Sequence, residues 1–232
     1  MRRAFLPLLI LASVGVAPNA LSRGVRVDDT FALVHKRVAG ETQSVTMKIE
    51  GKFAEMAFSS TTDLAMKVTE VAEDGGYTIE TTAGDTKTVV NGQEMPADSD
   101  DSTPKVRTSK YDAKGKEIKE AGDEDEDEDD PTDLAFDYEP SAPVKIGESW
   151  TPEKKGKTDP LVWTLTGKEE LNGKEVLVVE GKGKGPNDEK IESKVWVDPV
   201  TFIGRKATAT ISGIKQEEGS DGEMTISIEE KA

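Results

Sequence analysis

Cysteine does not occur in this chain. Its absence removes a disulfide framework, a thiolate zinc site, a cysteine nucleophile and a lipid-modified N-terminal cysteine. Histidine occurs once, at His35, which argues against a multi-histidine metal site and against histidine-dependent hydrolysis. Aromatic residues make up only 5% and hydrophobic residues 34%, against 33% charged. That is lean for a globular protein but richer than a disordered chain, so a modest, sheet-shaped core is expected. Apolar runs are equally scarce. The only long one, residues 4–17, follows Arg2 and Arg3 and is short for a bilayer span. It reads as an export leader, removed after Ser22, which sets Ala20 at the third position before the cut. The mature chain is therefore expected to be soluble, without a transmembrane anchor, in the periplasm or outside the cell. A membrane β-barrel would need aromatic girdles and lysine-free lipid faces, and neither pattern is present.

Acid is abundant. The 232 residues carry a formal charge of −16, and loss of the two leader arginines makes it −18. The lysines are interleaved with acids, which leaves no basic stripe to hold a polyanion, so nucleic acid is not an expected partner. Eight acids run without interruption from Asp123 to Asp130. Such a run repels itself and reads as part of a disordered acidic loop at about 121–142. Asp123, Asp125 and Asp127 mimic the start of a calcium loop, but Glu128 replaces the turn glycine and Leu134 the bidentate glutamate. Weak, diffuse cation binding is the most that run offers; no metal site is expected.

What remains is dominated by a period of two. Val45, Met47, Ile49, Gly51 and Phe53 alternate with Thr46, Lys48, Glu50 and Lys52, and Leu64, Met66 and Val68 oppose Asp63, Ala65, Lys67 and Thr69. Residues 25–38 read as a first strand containing Phe31, Leu33 and His35. Turns are expected at Asp74-Gly75-Gly76, at Ala83-Gly84-Asp85 and at Asn91-Gly92. A lysine-rich hairpin over 105–119 reads as an exposed edge. Beyond the acidic run, strands are expected at 144–151, 161–171 and 176–180, and a final one carries Met224, Ile226 and Ile228. Asn172-Gly173 tolerates the positive φ of a type I′ turn, although a two-residue register sets Glu170 opposite Glu175 and so requires that pair to face solvent. The run Gly181-Lys182-Gly183-Lys184-Gly185 reads as a flexible break. It is no phosphate loop, because no helix pattern follows it.

The strongest element is the hairpin over 190–213. Ile191, Ser193, Val195 and Val197 share one face of its first arm, and Lys190, Glu192, Lys194 and Trp196 the other. Asp198-Pro199-Val200-Thr201 forms the turn, and Ile203, Ala207, Ala209 and Ile211 make the return arm apolar on one side. The run Val195-Trp196-Val197-Asp198-Pro199-Val200-Thr201 resembles a strand end of the lipoprotein-carrier-like half-barrel proteins of the periplasm, the LolA and LolB superfamily. A glycine often follows the threonine in that family, where this chain has Phe202, which implies a different closure of the turn. Residues 143–150 are also similar to a segment of secreted bacterial β-proteins of undefined function.

Together these patterns predict an all-β domain over 23–232. It is expected to be a curved antiparallel sheet of about a dozen strands forming a half-barrel, barrel or sandwich, in one sheet in preference to two. No catalytic residues and no cofactor are singled out, and a non-enzymatic role is expected. The resemblance implies an extracytoplasmic binding protein whose concave apolar face holds a lipid, an acyl chain or a partner's hydrophobic segment. Candidate lining residues are Met47, Ile49, Phe53, Leu64, Met66, Trp163, Val195 and Trp196. The methionines suit a pliable cavity and an ordinary core equally well. The rival expectation is a structural or interaction protein of the envelope with a filled core and an acidic, weakly cation-binding surface.

Overall fold

The computed structural model describes residues 26, 27, 30–33, 37–95, 105–112, 117, 118, 135–153, 159–215 and 221–231. The expected leader, His35 and the eight acids of 123–130 lie outside these residues. In chain order the strands are β1 (Arg26–Val27), β2 (Thr30–Phe31), β3 (Thr42–Phe53), β4 (Met56–Val71), β5 (Tyr77–Val90), β6 (Gln93–Glu94), β7 (Lys105–Tyr111), β8 (Val144–Lys145), β9 (Ser149–Trp150), β10 (Val162–Leu171), β11 (Lys174–Lys184), β12 (Lys190–Val197), β13 (Gly204–Lys215) and β14 (Asp221–Glu230). No helix occurs among the described residues.

Two antiparallel meanders build the main sheet. One runs from β3 to β5, whose outer edge is shared by β6 and β7; the other runs from β9 to β14. They are spliced where β14 pairs with β3, giving one eleven-stranded sheet. Among the described residues the β6/β7 edge and the β9 edge do not pair, so the sheet stays open, as a half-barrel does and a closed barrel does not. Register slips between Leu165 and Gly167, Trp196 and Val197, Ser212 and Ile214, Thr62 and Leu64, and Val68 and Glu70. Each such bulge bends its strand and adds to the right-handed twist. A second, small sheet has the order β1-β2-β8.

Local chemistry explains the turns. Asn172 and Gly173 take φ values of 52° and 75°, and the β10–β11 register does set Glu170 opposite Glu175, with both residues exposed. Lys168 Nζ lies 2.8 Å from Glu175 Oε1 and relieves the like-charge pair. At the β12–β13 turn, Asp198 Oδ1 accepts hydrogen bonds from the amides of Val200 and Thr201 at 2.9 and 3.0 Å. Its other oxygen accepts from Arg205 Nη2 at 3.0 Å, and Arg205 Nη1 reaches Glu230 at 2.6 Å, which ties the turn to β14. Phe202 follows at φ 57°, a left-handed conformation that costs a bulky residue about 1–2 kcal/mol. Its ring is buried in the core, and burial of a phenylalanine contributes about 1.5–3 kcal/mol, enough to offset the strain.

Three expectations are corrected. Residues 25–38 do not form one strand: β1 and β2 fold back on each other, with Val27 opposite Thr30. Ala83-Gly84-Asp85 is not a turn. β5 runs through it, and Gly84 and Asp85 are absorbed as a bulge between the pairs Thr62–Thr86 and Leu64–Ala83. Gly181 to Lys184 is not a flexible break but the end of β11. Glycine and lysine alternate there, so Gly181 and Gly183 fall on the core face while Lys182 and Lys184 face water. A Cβ on Gly181 would sit 2.7 Å from the Trp163 ring, and one on Gly183 2.7 Å from Leu161 Cδ2. The glycines make room for these side chains to lie across the strand.

The core lies on that face of β10–β14, where Trp163, Leu165, Val179, Ile191, Val195 and Ile226 are buried. Phe31 and Leu33, from the β2 end of the chain, belong to the same cluster, as do Ala135 and Tyr138. The last two come from 135–142, the described end of the stretch expected to be an acidic loop, and both are buried.

Candidate functional site

The pairing registers align core-face residues into rows that cross the sheet. One row runs Ser60, Ile49, Ile226, Ala209, Ser193, Gly181, Trp163 and Trp150 from β4 to β9. The next runs Thr62, Met47, Ile228, Ala207, Val195, Val179 and Leu165. Along each row the surroundings change. From β13 through β10 the side chains are buried and, Ser193 apart, apolar, whereas Ile228 on β14 and Met47 and Ile49 on β3 are partly buried and the rows continue into Ser60 and Thr62 on β4 and Thr88 and Thr86 on β5.

This gradient divides the eight sequence-predicted residues into three groups. Met47, Ile49, Phe53, Leu64 and Met66 lie on the core face of β3 and β4, each partly buried. Leu64 sits opposite Val45, and Met66 packs on a small separate cluster of Val68, Tyr77 and Ile79. Phe53 stacks on Phe58 with ring centroids 5.7 Å apart and planes 5° from parallel. Gly51 and Gly222 leave room beneath these rings; a Cβ on either would collide with them. The second group, Trp163 and Val195, belongs to the filled core, where Tyr138 meets the Trp163 ring edge-on at 6.0 Å.

Trp196 stands alone on the opposite face. Its Nε1 donates to Glu169 Oε2 at 2.7 Å, and Lys194 Nζ and Lys206 Nζ lie 4.7 and 5.7 Å from its ring centroid. Lys194 also donates to Glu169 at 2.7 Å, and these two hydrogen bonds, that of Lys194 first, hold the exposed Glu169 carboxyl below its ordinary range. This outer face is tiled with cross-strand charge pairs, among them Glu180 opposite Lys194, Lys182 opposite Glu192 and Lys206 opposite Glu229. Trp196 is thus a fixed member of a charge lattice, set opposite the buried Val178.

Beside the partly buried face stands an aromatic end group. Tyr77 and Tyr111 stack at 5.1 Å, and Arg37 lies 5.9 Å from the Tyr77 centroid. Burial pushes the Tyr77 hydroxyl up to about 12, although Arg37 pulls it the other way. Sequence reasoning missed Phe58 and the two tyrosines as neighbours of the candidate face. Phe58 was legible as the apolar residue ahead of Ser59-Ser60, but its partnership with Phe53 depends on the turn at Ala54-Glu55, where Ala54 takes φ 50°.

No family model and no curated protein matches the chain. Similar solved structures include a domain provisionally named an outer membrane lipoprotein-sorting protein, from Vibrio parahaemolyticus. It is 15% identical, the match covers 82% of this chain and 83% of that one, and the TM-score is 0.24. Another is a DUF1329 family protein from Desulfovibrio piger, 10% identical over 83% of this chain and 87% of that one, with a TM-score of 0.19. Scores this low say nothing about what this chain binds.

Proposed function

We propose that this chain is an extracytoplasmic, non-enzymatic binding protein that holds a lipid, an acyl chain or a hydrophobic partner segment on the core face of β3–β5. One observation carries the reading. A single apolar sheet face is sealed over β10–β13 but leaves Met47, Ile49, Phe53, Leu64 and Met66 partly buried over β3 and β4. Flexible methionines beside aromatic rings suit a ligand of variable shape. Trp163 and Val195 then serve as the wall of the site, and Trp196 is not part of it. Export rests on the N-terminal leader read from the sequence.

Native mass spectrometry of the mature protein, purified without detergent from the envelope of its host, tests this. A co-purifying lipid mass that disappears on denaturation is expected, and Met47→Glu is expected to abolish it. A clean apo mass, unchanged after incubation with host lipid extract, would replace the carrier reading with that of a structural or interaction protein with a filled core.

A further inference from the structure

Among the described residues, Arg37 carries a buried side-chain atom, Nε, that has no hydrogen-bond partner. The side chain is only 13% exposed, and its Nη1 donates to Glu41 Oε1 at 2.9 Å. Glu41 is itself held in the turn before β3, where its other carboxylate oxygen accepts from the Val38 amide at 3.3 Å. The Nη1 bond leaves the Nε/Nη2 edge, the fork that takes a carboxylate through two parallel bonds, without a partner at its buried end. A donor on a charged group costs more to leave unpaired out of water than a neutral one, so a partner is expected. The guanidinium lies 5.9 Å from the Tyr77 centroid, and Tyr77 belongs to the cluster with Val68 and Ile79 on which Met66 packs. Arg37 therefore stands at one end of the partly buried face, which continues from Met66 along Leu64, Thr62 and Ser60 of β4. From Val68 to Ser60, which pairs with Ile49, the strand runs roughly 26 Å, room for a long acyl chain.

We propose that Arg37 is the head-group site of this face and that the ligand is a long-chain carboxylate, a fatty acid whose chain lies along Met66, Leu64 and Met47. This rests on the lipid reading above and narrows it. One guanidinium edge presents two parallel N–H groups to the two oxygens of a carboxylate, so no second residue has to reach the head. Burial raises the hydroxyls of Tyr77 and Tyr138 and the charge of Arg37 opposes it at both, which places the guanidinium where water is scarce and an ion pair is stronger than at the surface. A phosphate suits the place less well. Arg37 is already paired with Glu41, Glu139 acts on the same two tyrosines, and the whole chain carries −16, so a second negative charge on the head would be both desolvated and repelled.

Isothermal titration calorimetry of the mature full chain with palmitate and with hexadecan-1-ol tests the site. Palmitate is expected to bind roughly tenfold more tightly than the alcohol. Arg37→Gln is expected to remove that margin and to leave the alcohol's affinity unchanged. NMR of the nitrogen-labelled wild type gives a readout that needs no folded variant: one arginine Nε–H resonance is expected to move downfield with palmitate and to stay in place with hexadecan-1-ol. Equal affinity for the two probes, a margin that survives Arg37→Gln, or no arginine Nε–H response to bound palmitate would overturn the head-group site and leave the carrier reading standing. Binding of neither probe would overturn the carrier reading and the site with it.

Discussion

β10–β13 and β3–β5 are stretches of one sheet with the same alternation, yet they end in different states. The first is overlaid by Phe31, Leu33, Ala135 and Tyr138 and is sealed. The second has strands of 12, 16 and 14 residues against 10, 11, 8 and 12 in the first, and its core face carries threonines and serines among partly buried apolar side chains. A strand's own pattern therefore sets which face it offers to the interior, while the overlying segments decide how dry that face becomes. Stability is expected to concentrate in the sealed half and adaptability in the other.

Paired substitutions break or sharpen this contrast. Trp163→Ala is expected to cost about 3–5 kcal/mol in urea unfolding, because it empties the centre of the filled core. Met47→Ala is expected to cost only about 1 kcal/mol. Equal costs would mean that the two halves are packed alike. Next in size, Gly181→Ala drives a methyl group into the Trp163 ring and is expected to destabilise by about 1–3 kcal/mol. Gly84→Ala, whose Cβ would meet only ordinary contacts at 3.4 Å from Asp63 O, is expected to fall within about 0.5 kcal/mol of wild type.

Protonation gives a third comparison. The folded Tyr77 hydroxyl is raised from 10.0 to about 12, so its stabilising contribution is complete below pH 10 and is lost as pH rises towards 12. Tyr138, wholly within the sealed core, is raised further by burial and then by Glu139. Alkaline titration followed by tyrosinate absorbance is expected to ionise Tyr77 before Tyr138, with β3–β5 loosening first. The reverse order would contradict the contrast.

The smallest effect lies at the acid end. Burial alone would raise the Asp198 carboxyl, but the amides of Thr201 and Val200 and then Arg205 outweigh it and hold it below 3.8. Its stabilisation is therefore present above about pH 4 and lost as pH falls below that, through its folded value. Asp198→Asn is expected to flatten the acid limb of the stability curve slightly and to leave the alkaline limb unchanged, measured by urea unfolding across pH.

Much of the architecture was legible in residue order. Alternation at 45–53 and 191–197 located β3 and β12 and their buried faces, and Asn172-Gly173 located a two-residue hairpin, because these signals act within a few residues. Two readings went astray for one reason: glycines were taken as breaks. Gly84 lies in a bulge, while Gly181 and Gly183 are vacant core positions beneath Trp163 and Leu161; only the neighbouring strand reveals this. The eight candidate site residues were chosen by the same period of two, which marks a face without saying what covers it.

The sequence by itself determined the strands, most of their turns, the apolar parity of each and the charged outer face, since side-chain alternation and turn chemistry are local properties of the chain. Tertiary structure alone decided that β14 closes on β3, that Tyr138 and Phe31 dry out one half of the face, and that Trp163 and Ser193 share a row. Those outcomes depend on pairings between residues far apart in the chain, and no local pattern encodes which distant strand or segment will arrive.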